Sequence, residues 1–144
     1  MSIADVMTVR VVSVEPHDSV AHAIERMLDE NIGAVAVCEL GRVVGIFTER
    51  DVLRLAGGSE AFASRRVDEV MTQRPLTVAP DDDIVAVARL MGERQVRHLP
   101  VVENDHLLGI VGARDVMGAL VERLWRTHDE QAHETVRALL LRSH

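Results

Sequence analysis

The chain has 144 residues, of which 47% are hydrophobic, and 23 acidic against 16 basic residues give it a net charge of −7. A chain of this length buries a substantial core, and with two Phe, one Trp and no Tyr that core must be aliphatic. Because the arginines are scattered and the acids outnumber them, the composition argues against binding to nucleic acid or to an anionic membrane surface, both of which require a basic face.

An internal repeat organises the chain. Residues 6–55 align with residues 70–119 without a gap at a shift of 64 positions, and fifteen of these fifty pairs are identical. The matches include "VMT" at 6 and 70. They also include the first two and the last two residues of "GIFTERD" at 45 and "GIVGARD" at 109. Such a repeat indicates a duplicated supersecondary unit whose copies cover apolar faces that neither could bury alone.

Each copy predicts the same elements in chain order. A short β-prone run, at 9–14 or 76–78, ends near a proline, and apolar spacing of three and four residues then predicts a helix. Two aliphatic runs flank a tight polar turn, which predicts a β-hairpin. A second helix begins at "TERDVLRL" or "ARDVMGAL". The order β-α-β-β-α therefore occurs twice, and we predict an α+β fold.

Outside the repeat, the sequence predicts a linker and a tail. The segment "GGSEAFASRR" has the glycine pair and the polar composition of a mobile connector. The tail continues the last helix through Leu124 and Trp125 and resumes apolar spacing at Val136, as expected of a helix that packs on its own domain or on a partner subunit. The predicted division is a first repeat at 1–58, a linker at 59–66, a second repeat at 67–124 and a helical tail at 125–144.

Several other features are disfavoured by the sequence. No stretch approaches membrane-spanning length and the N-terminus has no apolar run of signal type, so we predict a cytoplasmic protein. The single cysteine, Cys38, excludes an intramolecular disulfide and is interpreted as a small buried hydrophobe. His128 and His133 in the tail have a poor spacing for one helical face, and we predict no metal site.

These strings resemble the tandem cystathionine-β-synthase-type (CBS) domain pair, or Bateman module, of the stand-alone bacterial type. The resemblance rests on "VMT" at 6 and 70, "VxP" at 14 and 78, "HLPVV" at 98, and "GIxxxRD" at 45 and 109. It implies two CBS repeats packed through their sheets with pseudo-twofold symmetry, and a C-terminal helix beyond them. It also implies a homodimer that is not an enzyme, binds AMP, ATP, NADH or S-adenosylmethionine between the repeats, and signals to an unidentified downstream protein.

The resemblance assigns ribose contacts to Thr48 and Asp51, at the start of the second helix of the first copy. A hydroxyl and a carboxylate there can bind a vicinal diol, and free backbone N–H groups favour phosphate. The same pattern is also a capping box that needs no ligand, and both interpretations stay open. In the second copy Asp115 is kept but Gly112 replaces the hydroxyl residue, so we expect that cleft to hold ribose poorly or not at all.

Basic residues precede the "LPV" string only in the second copy. Nucleotide-binding members of the family that this chain resembles, such as the γ subunits of the AMP-activated kinase, have His and Arg there, facing phosphates. This chain has Arg97 and His98, in swapped order, whereas the first copy has Gly33 and Ala34. The alternative is a solvated arginine and a histidine that caps the strand. We predict one composite site for AMP or ATP, with no cofactor required. The predicted ligand-binding residues are Thr48, Asp51, Arg97, His98, Val14, Ile46 and Asp115, with the adenine edge against the backbone near 11–14 and 44–47.

Two other classes of function were weighed against nucleotide sensing. A dimeric structural or interaction protein would bind no nucleotide and would leave Thr48, Asp51 and Arg97 as solvated caps. An enzyme is disfavoured because no Ser-His-Asp or Cys-His ordering, metal cluster or Gly-rich phosphate loop stands out.

Overall fold

The helices and hairpins follow the predicted order in both copies, but the strand predicted at 76–78 is wrong: of these residues only Val78 pairs, in an isolated bridge with Val101. The structure, a computed structural model, describes residues 1–9, 11–58, 61–127 and 130–142. The first copy contains β1 (Ser13–Val14), α1 (Val20–Glu30), β2 (Ala34–Glu39), β3 (Arg42–Thr48) and α2 (Glu49–Ala56). The second contains β4 (Thr72–Gln73), α3 (Ile84–Arg94), β5 (His98–Glu103), β6 (His106–Gly112) and α4 (Ala113–Thr127), and α5 (Glu130–Arg142) follows. Short 3-10 helices lie at Ile3–Asp5 and Val67–Glu69. The α+β class is confirmed.

The tight turns of both hairpins have left-handed backbone. Leu40 and Gly41 have φ of 53° and 80°, and Asn104 and Asp105 have φ of 53° and 66°. Two successive positive φ values match the right-handed twist of the flanking strands. Both predicted hairpins are therefore confirmed, and their registers place Thr48 opposite the first residue of β2.

The strands of the two hairpins belong to one sheet, and the hairpins also pack face to face against each other. Within the described residues the six strands run in the order β1-β2-β3-β6-β5, with β4 beside β3, and the copies join at Arg42 and His106. Residues that point into the core of their own copy are Val35, Val37 and Phe47 in the first copy and Leu99, Val101 and Val111 in the second. Ala34, Ala36 and Ile46 are buried but belong to neither core. Because β2 contacts β6 and β3 contacts β5, we infer that this second face packs on the other copy.

The segments that carry "VMT" are exchanged between the copies. Ile3 is fully buried in the core of the second copy, and Thr8 N–H donates to the Ile110 carbonyl of β6 at 3.1 Å. A side chain at Gly109 would collide with the Thr8 carbonyl, so this close approach requires glycine. Conversely, Val67 is buried in the core of the first copy and β4 pairs with β3. The chain therefore crosses between the copies between Thr8 and Ser13 and again between Gln73 and Val78. Among the described residues of the predicted strand at 9–14, only Ser13 and Val14 are paired.

The described part of the predicted linker is not a free connector. Val20 N–H donates to the Arg65 carbonyl at 2.8 Å and Ala21 N–H donates to the Ala63 carbonyl at 2.9 Å. These are backbone donors in the first turn of α1, which have no acceptor within the helix. Phe62 also packs against the core of the first copy. Residues 61–66 are thus fixed to α1, while Ser59 and Glu60 lie outside the described residues.

The C-terminal helix packs on the second copy of its own chain. Helix α5 contacts both α3 and α4, and Val136 and Leu139 are buried in the second core. An Arg142 Nη1 group donates to the Gly92 carbonyl of α3 at 2.7 Å. Of the two predicted roles for the tail, this chain thus shows packing on its own domain.

Candidate functional site

The side chains of Thr48 and Asp51 form a complete capping box at the start of α2. Thr48 N–H donates to Asp51 Oδ2 at 2.9 Å, and Asp51 N–H donates to Thr48 Oγ1 at 3.4 Å. The Thr48 hydroxyl donates to the same Oδ2 atom at 3.2 Å, and Asp51 is only 6% exposed. The other carboxylate oxygen, Oδ1, faces Arg54 Nη1 at 3.7 Å. The cap therefore uses Oδ2 and the hydroxyl proton, whereas Oδ1 takes no part in it.

The second copy has no such pair at the start of α4. Asp115 is exposed, and its Oδ2 lies 3.5 Å from the point where a Gly112 Cβ would stand. The next neighbours of that point are His98 Cδ2 at 3.7 Å and the Arg97 carbonyl at 3.8 Å. All three are ordinary van der Waals distances, so the position has room for a side chain but lacks the hydroxyl that would cap the helix.

His98 extends from the second copy to the first. Its Nε2 atom lies 3.2 Å from the point where a Gly33 Cβ would stand, and Glu49 Oε1 lies at the same distance from that point. Glu49 N–H in turn donates to the Gly33 carbonyl at 3.0 Å, so this opening adjoins the start of α2. Both 3.2 Å distances are shorter than ordinary contacts of a Cβ, so a side chain at this position would crowd its neighbours. We call this narrow gap, bounded by Gly33, Glu49 and His98, the Gly33 opening.

The charge of His98 is set by burial and by the charges that face it. Burial lowers the pKa of His98 below its ordinary value of 6.5, and the Arg97 guanidinium lowers it further. The carboxylates of Glu49 and Asp115 act in the opposite direction, but the net shift is downward. The imidazole is therefore mainly neutral at neutral pH. The Arg97 side chain is exposed and makes no hydrogen bond or ion pair with the part of the chain that the structure describes. It is thus available to an anionic ligand.

The two predicted adenine contacts lie in different settings. The Val14 side chain is 3% exposed and packs in the core of the first copy, so a ligand could meet only its backbone on the edge strand β1. Ile46 is 6% exposed, and its strand is paired on both sides, with Ala36 of β2 and Thr72 of β4. A ligand would therefore meet the Ile46 side chain rather than its backbone.

Glu49 is the residue of this site that the sequence did not single out. An acidic residue at the first position of a helix is common because it opposes the helix dipole. That pattern gave no reason to expect the imidazole of a residue 49 positions later beside its carboxylate. The proximity of Gly33 to both groups arises from packing between the copies.

Other sequence features play no part in this site. Cys38 is buried, as predicted, and burial raises the pKa of its thiol while a hydrogen bond with Ser13 opposes the shift. Two hollows, of about 500 and 420 Å³, lie beside α4 and α5 and beside β3 and β4, and no predicted ligand-binding residue lines either. His128 and Asp129 lie outside the described residues. Along the described chain, none of the helices has the length and apolar character that a membrane crossing requires.

Comparisons with known proteins agree with this architecture. The sequence model of the CBS domain matches residues 3–58 and 67–122. The CBS domain-containing protein YhcV of Bacillus subtilis (strain 168) is 31% identical over 115 residues, which span 80% of this chain and 82% of YhcV. A solved protein with CBS domains from Burkholderia ambifaria MC40-6, assigned to signal transduction, has a TM-score of 0.77 and 28% identity and covers 85% of this chain and 95% of its own.

A further solved structure contains a nucleotide. The structure of CBSX2 in complex with AMP has a TM-score of 0.74 and 28% identity, and the match covers 85% of this chain and 97% of CBSX2. The duplicated match and the fold confirm the resemblance seen in the sequence. The chain belongs to the CBS-domain family and carries two CBS domains in tandem.

Proposed function

We propose that this protein is a regulatory module that binds an adenosine-containing nucleotide, AMP or ATP, in the cleft between its two CBS domains. The observation that carries the proposal is that His98 of the second copy reaches the Gly33 opening. Glu49, which bounds this opening, directly follows Thr48 in the chain. The complex of CBSX2 with AMP, in a protein 28% identical to this one, supports the choice of ligand. No catalytic role and no cofactor are included in the proposal.

Ribose binding is assigned to the capping pair. Asp51 Oδ1 accepts a ribose hydroxyl, while Oδ2 and the Thr48 hydroxyl keep the helix start in place. A hydrogen bond to a charged group is worth about 1.5 to 3 kcal/mol, which is enough to affect affinity by tenfold or more. The cap thus orients the carboxylate that binds the ligand, and the two interpretations of the pattern are compatible.

Phosphate binding is assigned to Arg97, with His98 beside it. The Arg97 guanidinium is exposed and offers several donors to one phosphate group. The ligand would then connect the two copies, because its ribose lies on the first and its phosphate on the second. Occupancy would thereby alter the packing of the copies or the assembly of a homodimer and signal to a downstream protein in the cytoplasm.

Isothermal titration calorimetry with adenosine and AMP tests this assignment. The wild type should bind one AMP per chain, and Arg97→Ala should weaken AMP binding about tenfold while leaving adenosine binding unchanged. Arg89→Ala, which removes another exposed arginine from α3, is the matched control and should change neither. If neither adenosine nor AMP binds the wild type, the proposed function is wrong.

A structural or interaction protein that binds no nucleotide is the second candidate. It is favoured by the capping box at Thr48 and Asp51, which is complete without a ligand. A ligand at about 100 times its dissociation constant adds about 2.7 kcal/mol of stability, so nucleotide sensing predicts a clear rise in melting temperature with AMP. The second candidate predicts none.

A further inference from the structure

The Gly33 opening lies between a carboxylate and an imidazole from different copies. Glu49 Oε1 and His98 Nε2 each lie 3.2 Å from the point where a Gly33 Cβ would stand. A side chain at this position would crowd both groups, and glycine allows them to lie close together. A phosphate bound by Arg97 beside His98 would therefore lie near the Glu49 carboxylate.

The charge of Glu49 is not neutralised by a neighbouring cation. Its side chain is exposed and has no hydrogen bond or ion pair with any residue that the structure describes. Asp51 follows it on the same helix, and Asp115 faces His98 from α4. On the cationic side, Arg97 supplies the lasting positive charge, since His98 is mainly neutral at neutral pH. With one permanent cation, Arg97, among several carboxylates, these residues can balance the negative charge of one phosphate better than that of three.

We propose that Glu49 determines the ligand specificity of the cleft by charge, so that the site binds an adenosine ligand with one phosphate in preference to one with three. This inference rests on the proposed function. Arg97 can contact a single phosphate, whereas each further phosphate charge is added close to the unpaired carboxylate. Repulsion between nearby like charges at a protein surface, after screening by salt, weakens affinity roughly fivefold per charge.

A purely structural role for Glu49 makes a different prediction. A carboxylate in the first turn of α2 stabilises the helix through its dipole whether or not a ligand binds. In that case Glu49→Gln would lower stability slightly and would leave the relative affinities for AMP and ATP unchanged. The ratio of the two affinities therefore distinguishes the roles.

The experiment is calorimetry with adenosine, AMP and ATP, in EDTA and at fixed ionic strength so that ATP keeps its full charge. The wild type should bind AMP more tightly than ATP. Glu49→Gln should reduce this preference by about tenfold and leave adenosine affinity within about twofold. Glu25→Gln removes an exposed carboxylate from α1, away from the opening, and should behave as the wild type.

Three results would overturn the inference. A wild type that binds ATP more tightly than AMP contradicts it directly. An AMP to ATP preference that Glu49→Gln does not change also contradicts it, while continued binding of adenosine and AMP would leave the proposed function in place. Failure of all three ligands to bind the wild type would refute both.

Discussion

Asp51 and Asp115 occupy the same position in the two copies, 64 residues apart, yet Asp51 is 6% exposed and Asp115 is exposed. The difference arises three residues earlier. Thr48 holds the Asp51 carboxylate in a capping box, whereas Gly112 offers no hydroxyl to Asp115. The starts of α2 and α4 are thus capped differently, and under the proposed function we expect the second cleft to bind ribose less well.

Gly112→Thr should complete the missing capping box. The space at this position is sufficient, because the nearest atom to a new Cβ is Asp115 Oδ2 at 3.5 Å. A threonine cap in place of glycine should raise the free energy of unfolding by about a few tenths of a kcal/mol. Chemical denaturation measures this gain, and Gly112→Ala is the control that removes the glycine without adding a hydroxyl.

The same variant should create or strengthen nucleotide binding at the second cleft. Calorimetry should therefore give a higher stoichiometry for Gly112→Thr than for the wild type, with the first site unaffected. Two equivalent ligands per wild-type chain would show that the interpretation of Gly112 is wrong.

The stability of the protein should depend on pH through His98. Because burial holds the pKa of His98 in the folded chain below its ordinary value of 6.5, the unfolded chain binds this proton more readily. The contribution of His98 to stability is therefore complete above pH 6.5 and is lost as the pH falls through the folded pKa. His98→Gln should remove this part of the decline.

The measurement is the free energy of unfolding of both proteins at several pH values between about 5 and 7.5. Other histidines and carboxylates also titrate, and the difference between wild type and variant isolates His98. Parallel curves over this range would contradict the assignment.

The predicted homodimer should assemble through α1 and α2. Leu28 on α1 and Leu53 on α2 are 75% and 74% exposed. The counterpart of Leu28 in the second copy is Gly92, where Arg142 of α5 packs. The tail thus covers the second copy and leaves the equivalent face of the first copy without a cover among the described residues, as expected of a surface that associates.

Light scattering at tens of micromolar should give a dimer for the wild type and a monomer for Leu53→Asp. Leu40→Asp is the control, because Leu40 is 94% exposed but lies in a hairpin turn away from these helices. A monomeric wild type, with or without nucleotide, would contradict the prediction.

Local sequence patterns were sufficient to predict the secondary-structure elements, but not to predict which elements pair with each other. Turn residues at Leu40 and Gly41 and the apolar periodicity of α1 are local signals, and both elements were predicted correctly. The pairing of Thr8 with Ile110 was not predictable, because a short strand carries no mark of the copy it joins. The position of Glu49 beside His98 arises from the same packing between copies, which is why the sequence did not indicate it.

The most direct test of nucleotide binding compares the loss of two helix caps. Asp51→Ala removes the cap of α2 and the proposed ribose acceptor; Asp83→Ala removes the cap of α3, where Asp83 accepts from Val85 N–H at 3.1 Å and Ala86 N–H at 3.3 Å. Each should cost about 1 kcal/mol of stability. Calorimetry should show that AMP affinity falls about tenfold or more in Asp51→Ala and is unchanged in Asp83→Ala. If Asp51→Ala lowers stability but keeps wild-type AMP affinity, Thr48 and Asp51 are a helix cap and nothing more.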